Sequence, residues 1–205
     1  MTSRLSALVL LLLVASAPLL HAASAVKEFL DGTTKFSTAG HPKAKGLVMT
    51  IEYPSTWAAK ESDYPNIVQG FVRPEGQVMA AIVINALPLP PGTKIPENEL
   101  KEFFTPSKMK DVVPESATLL AAKPTKIQGL PAGVLEYSMR QESAGITVDM
   151  RVAAFVFIYN TTMVQLQCSV GAPGGQAASL EERMADFMPL FTLMANSIVL
   201  PAKWK

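Results

Sequence analysis

Seven consecutive apolar residues, Val152 to Ile158, constrain this chain more than any other feature. Side chains alternate between the two faces of a strand, so a strand that is apolar at every position needs cover on both. The preceding run Ala132 to Glu142 behaves differently. There Leu135, Tyr137 and Met139 alternate with Glu136, Ser138 and Arg140, the pattern of a sheet with one wet face. The two runs together predict a sheet with helices on both sides.

Other strands are predicted at Gly46 to Tyr53, Asn66 to Val72, Gln77 to Leu87, Ala117 to Ile127, Ile146 to Tyr159 and Thr162 to Val170. Pro54 is expected to end the first, and Arg73-Pro74-Glu75-Gly76 to turn the second into the third as a hairpin. Leu87 to Gly92 holds three prolines and predicts irregular chain. A short helix follows at Glu97 to Phe104, then a second opened by Thr105 as cap with Pro106 in its first turn. After Gly171 to Gly175, read as a plain linker, a final helix is predicted with a capping box from Ser179 to Glu182. Its stripe Leu180, Met184, Phe187, Phe191, Met194 and Ile198 recurs at helical spacing, and Pro189 predicts a kink or break within it. The order of elements gives an α+β fold: a mainly antiparallel β-sheet with helices on both faces, an α/β/α sandwich.

In the hairpin around Ser143-Ala144-Gly145 the side-chain pattern decides the register. With Ser143 opposite Ile146, Arg140 faces Asp149, Arg151 lies diagonal to Glu136, and the apolar Tyr137 and Met139 face Val152 and Met150. A shift of one residue would mix wet and dry faces. The charged set then reads as solvent-exposed ion pairs.

The first residues carry one charge, Arg4, followed by the apolar stretch Leu8 to Val14 and the small residues Ala23-Ser24-Ala25. That is the pattern of a secretory signal peptide, with an apolar stretch too short to span a bilayer. Residues 1–25 are the expected signal, with cleavage after Ala25, and 26–205 a single domain that is periplasmic or secreted. A cut after Ala23 ranks second because it places His21 where a small residue is preferred. No cysteine stands near the cut to carry a lipid. With 18 basic and 17 acidic side chains, and Arg4 in the signal, the remainder is balanced, which gives no reason to expect nucleic acid or an anionic membrane as partner. The one cysteine, Cys168, lies in an apolar strand and reads as a buried thiol.

Three local patterns resemble the PsbP-like and Mog1-like fold family, which includes bacterial DcrB-type periplasmic proteins. One is the strand end Ile51-Glu52-Tyr53-Pro54 followed by Trp57; the second is Ile127-Gln128-Gly129-Leu130-Pro131-Ala132 leading into Leu135-Glu136-Tyr137. The third is the closing helix with Phe187, Phe191 and the end Asn196-Ser197-Ile198. Together they cover most of the chain beyond the signal. The resemblance implies an antiparallel sheet between helices and an accessory or binding role without known catalysis. The chain departs from the family's lipoproteins in lacking an anchoring cysteine, and it has Thr56 where a glycine before the tryptophan is common.

Few residues suit catalysis. His41 is the one histidine left after the signal, in a polar lead-in, so neither a zinc site with Cys168 nor a Ser-His-acid triad has the groups it needs. Glu136 and Asp149 share a face and have the residue types of an acid–base pair, but Arg140 and Arg151 among them would hold both ionised. Tyr53 and Trp57 suit either stacking on a ligand or plugging the core. No catalytic residue, metal or cofactor is expected, and the candidate ligand or partner contacts are Tyr53, Trp57, Glu136, Arg140, Asp149 and Arg151.

The expected function is therefore that of an exported, non-catalytic binding or accessory protein whose partner is another envelope protein, with toxin immunity as one specialisation. The first alternative is a carrier of an apolar small molecule held between the sheet and the methionine-rich final helix. An undetected hydrolase is the third.

Overall fold

The computed structural model describes residues 17–74, 78–87, 89, 93–143, 146–173 and 177–204. Its centre is a seven-stranded antiparallel sheet in the order β3-β4-β5-β9-β8-β7-β6. The strands are β3 (Ala58–Lys60), β4 (Ile67–Val72), β5 (Val78–Ala86), β6 (Ala117–Ile127), β7 (Leu130–Ser143), β8 (Ile146–Tyr159) and β9 (Thr162–Pro173). A separate ribbon pairs β1 (Thr33–Ser37) with β2 (Thr50–Pro54). Among the described residues four helices accompany these strands: α1 (Ala17–Leu30), α2 (Glu97–Phe103), α3 (Pro106–Met109) and α4 (Ala177–Asn196).

The apolar strand β8 behaves as its composition requires. Ala153, Phe155 and Phe157 point to one core, shared with Ile82 and Ile84 of β5, Ile51 and Tyr53 of β2, Ala25 of α1, and Met184, Leu190, Phe191 and Met194 of α4. Val152, Ala154, Val156 and Ile158 point to the other, with Leu135 and Tyr137 of β7 beneath Leu100, Phe104 and Met109 from α2 and α3. The fold is α+β with helices on both faces of an antiparallel sheet, as expected.

Several local expectations need correction. The strand predicted from Gly46 starts at Thr50, and it belongs to the ribbon, where Lys35 pairs with Glu52. Residues 33–37, expected as lead-in, form its partner, and the edge strand β3 was not predicted at all. Thr105 occupies the cap position of α3, but its hydroxyl donates to the Glu102 carbonyl at 2.8 Å and does not cap the helix. Ser179 lies inside α4, so it is not the cap of the expected box. No break occurs at Pro189: the helix continues through it, with fully buried residues on both sides, Met184 before and Leu190 after. Packing on both flanks offsets the backbone hydrogen bond that proline removes. Residues 75–77, 88, 90–92, 144–145 and 174–176, which hold parts of two predicted turns, of the proline-rich irregular run and of the linker, lie outside the described residues.

The turn Gln128-Gly129 joins β6 to β7, with both residues at positive φ, 52° and 73°, as a two-residue hairpin of this hand requires. One of the patterns shared with the fold family is thus a hairpin turn. Among the described residues no helix is long and apolar enough to cross a membrane.

Candidate functional site

The β7–β8 hairpin has the register that the charge pattern predicts: Arg140 pairs with Asp149 and Ser138 with Arg151. Arg140 donates from Nε to Asp149 Oδ1 at 2.8 Å, and Arg151 from a terminal nitrogen to Glu136 Oε2 at 3.4 Å. Four of the six predicted contact residues therefore meet on one patch. The patch is not the open surface expected. Only 8% of the Asp149 side chain is exposed, and Arg151 and Glu136 are half-buried. This face of the sheet is the one covered by α4, whose Leu180 and Glu181 reach over it. A cavity of about 430 Å³ remains at the edge of that cover, lined by Ser116, Thr118, Ser138, Arg140, Asp149 and Arg151 among others. Asp149 holds the Arg140 guanidinium above its usual pKa through hydrogen bond and charge. The Arg140 guanidinium therefore stays charged, and the pair presents fixed charge and hydrogen-bonding groups at the cavity.

On the opposite face α2 and α3 close a core at one end of the sheet that reaches from Ile158 to Val152 and Tyr137. The other end is an open cleft of about 550 Å³. Its floor comes from alternate residues of four strands: Met79 and Ala81, Gln167 and Ser169, Met150 and Val152, Tyr137 and Met139. One wall is the segment Lys60 to Tyr64 beyond β3, tied back by Lys43, whose ammonium donates to the Ser62 carbonyl. Tyr64 stands 64% exposed on that wall and Met79 36% exposed on the floor. Burial of the Tyr137 ring pushes its hydroxyl pKa up to about 12. The phenol therefore stays protonated and adds a hydrogen-bond donor and acceptor to those of Gln167 and Ser169 on the floor. Nothing in the sequence marked this cleft, because it exists only where helical cover stops.

The remaining predicted residues are part of the packing. Tyr53 is buried and stacks on Phe71 with ring centroids 4.3 Å apart. Trp57 is buried too, and its Nε1 donates to Glu28 at 3.1 Å. Neither ring faces the cleft or the cavity. His41 opens a short 3-10 turn, where Nδ1 accepts from the Lys43 backbone N–H at 3.3 Å. Cys168 is completely buried on β9. Between the sheet and α4 the apolar stripe packs into the core, and a cavity of about 290 Å³ lies at its edge, between Lys123 to Ile127, Val134 and Phe155 of the sheet and Met188, Thr192 and Ala195 of α4. Among the described residues no three or more His, Cys, Asp or Glu side chains are grouped to hold a metal ion.

The layers and strand order define the class: an α+β sandwich of the PsbP-like and Mog1-like fold. Among solved structures, cyanobacterial PsbP (CyanoP) from Synechocystis sp. PCC 6803 matches with a TM-score of 0.50 at 14% identity, over 82% of this chain and 92% of that one. LpqN of Mycobacterium tuberculosis, described as involved in cell envelope biogenesis, matches at 0.44 and 14% identity, over 82% and 90%. The Saccharomyces cerevisiae Ran-binding protein Mog1p matches at 0.47 and 11%, over 82% and 95%. The likeness to CyanoP shows the fold and nothing finer. No family model and no curated protein matches the sequence.

Proposed function

We propose that this chain is an exported, non-catalytic accessory protein of the cell envelope that holds another envelope protein on the open half of its sheet. The observation that carries this reading is the cleft over Met79, Met139, Met150 and Val152. Elsewhere on the same face, apolar residues are covered by α2 and α3. An apolar segment of a partner laid across the open half would complete that layer, and methionine side chains adapt to varied apolar surfaces. Export is supported by the charged start, apolar stretch and Ala23-Ser24-Ala25 exit of the sequence. The thin supply of reactive groups supports binding over catalysis. Immunity against a delivered toxin is one specialisation of this role.

Cross-linking in cells producing the chain, followed by mass spectrometry, tests the reading. Met150→Glu and Ala81→Glu place charge on the cleft floor and should abolish capture of one defined protein, while His41→Ala and Cys168→Ala leave it intact. Capture unaffected by both cleft variants would sink the proposal. A carrier of an apolar small molecule is the second reading. The cleft volume of about 550 Å³ and its three methionines favour it, and it moves the ligand from beneath α4 to the open face. Native mass spectrometry of the protein from its own envelope separates the two: a bound lipid-sized mass, lost in Met150→Glu, would replace the first reading by the second.

A further inference from the structure

The expected cut between Ala25 and Val26 falls inside a folded element. Helix α1 runs without interruption from Ala17 to Leu30, and Ala25 is 2% exposed in the core shared with α4. Three residues further on, Glu28 is clasped from two sides. Its carboxylate accepts from Trp57 Nε1 at 3.1 Å, and from Arg73 through Nε at 3.1 and 3.3 Å and a terminal nitrogen at 2.7 Å. The Arg73 guanidinium in turn lies 5.4 Å from the ring centre of Phe187 on α4. The turn that carries the cut is thereby tied to β4, to the Pro54–Trp57 corner and to the closing helix.

We infer that the fold imposes an order on maturation: the signal can be removed only before α1 docks, so export must deliver this chain unfolded. The inference rests on the export reading above. A peptidase takes its substrate extended, at roughly 3.3 Å per residue, whereas a helix rises about 1.5 Å. To reach the bond, the residues around Ala25 must leave the helix, which pulls Ala25 from the core and breaks the Glu28 clasp. In an unfolded chain that opening has already occurred. Hydrolysis breaks the Ala25 carbonyl to Val26 nitrogen bond, water supplying hydroxyl to the new Ala25 carboxylate and a proton to the Val26 amine. What remains, Val26 to Leu30, still carries Glu28. A chain cut first can therefore close the clasp, and a chain folded first hides its own cut site.

The test uses the full chain and a signal peptidase in detergent micelles, in two arms. In one the chain is folded beforehand; in the other it is diluted from urea directly into the enzyme. The diluted chain should be cut after Ala25, and the folded chain at least about 100-fold more slowly, as expected for cleavage that waits on local opening. Folded Glu28→Ala, which removes the shared acceptor of Trp57 and Arg73, should be cut about tenfold faster than the folded parent. If that variant does not fold by circular dichroism, Trp57→Phe removes one of the clasping bonds and should shift the rate in the same direction. Equal rates in the two arms, both at Ala25, overturn the order inferred here while leaving export standing. No cut near Ala25 in either arm overturns the export reading and this inference with it.

Discussion

Arg140 and Asp149 are paired across β7 and β8 at 2.8 Å but are unequally placed: the arginine side chain is 65% exposed, the aspartate 8%. Removing one partner is therefore not equivalent to removing the other. Arg140→Gln withdraws a counter-charge from a carboxylate with little access to water, whereas replacing both residues removes the buried charge as well. Arg140→Gln should lower the urea midpoint, and the same change in an Asp149→Asn background should have little effect. Additive losses in the double-mutant cycle would show that the pair contributes nothing as a unit.

Gly133 faces the second core at a point without room for a methyl group. A Cβ there would lie 2.1 Å from Met109 Sδ and 3.1 Å from Phe104 Cδ1. Gly133→Ala should therefore destabilise the fold by about 1–3 kcal/mol, the range for overpacked cores. Because Met109 is the nearest obstacle, Gly133→Ala with Met109→Val should be less destabilised than the two single losses predict. Denaturant titration of the four proteins checks this. An additive result would place the strain elsewhere.

Tyr137 gives stability an alkaline limb. Its folded pKa is raised to about 12 by burial, against about 10 in an unfolded chain. Between these values the unfolded state has released the proton and the folded state has kept it, so unfolding gains as pH rises. Stability from this group is fully present below about pH 10 and is lost as pH climbs towards 12. Phenolate absorbance should show one tyrosine titrating late, and Tyr137→Phe should flatten the pH dependence of the urea midpoint over that window. A limb unchanged in Tyr137→Phe would assign it to other groups.

How far the sequence could be read depended on whether the deciding partner was near or distant. The β7–β8 register was legible because alternation over a dozen residues leaves one pairing that keeps Tyr137 and Met139 on the face of Val152 and Met150. The two-sided core was legible from β8 for the same reason. By contrast, β1 and β3 are short, and residues such as Thr33, Thr34, Ala58 and Ala59 have no strand pattern of their own; they are strands because β2 and β4 lie alongside. The burial of Asp149 was not legible because its cover, Leu180 and the start of α4, lies some thirty residues away. Glu28 was missed for the same reason, since Trp57 and Arg73 give it meaning only once α1 has docked. The open cleft is further still from any local signal, being a property of where α2 and α3 stop.

Cys168 should report unfolding and take no part in function. It lies on β9 between Ala80 of β5 and Ala153 of β8, so a row of small side chains crosses three strands beneath the helical layer. Burial pushes its thiol pKa well above the usual value, and the thiolate, the reactive form, is suppressed. In the native protein, alkylation at neutral pH should be slow and should track the small unfolded fraction. In urea it should approach the rate of a free thiol. The sign for stability matches that of Tyr137: an unfolded thiol ionises from about pH 8.5 and the folded one does not, so stability falls as pH rises past that point. Cys168→Ala keeps the row small and apolar and should change stability little, whereas Cys168→Ser buries a hydroxyl in an apolar site and should cost about 1–3 kcal/mol. Fast alkylation of the native protein, with no dependence on denaturant, would mean that the thiol is open and that the strand is packed differently from this arrangement.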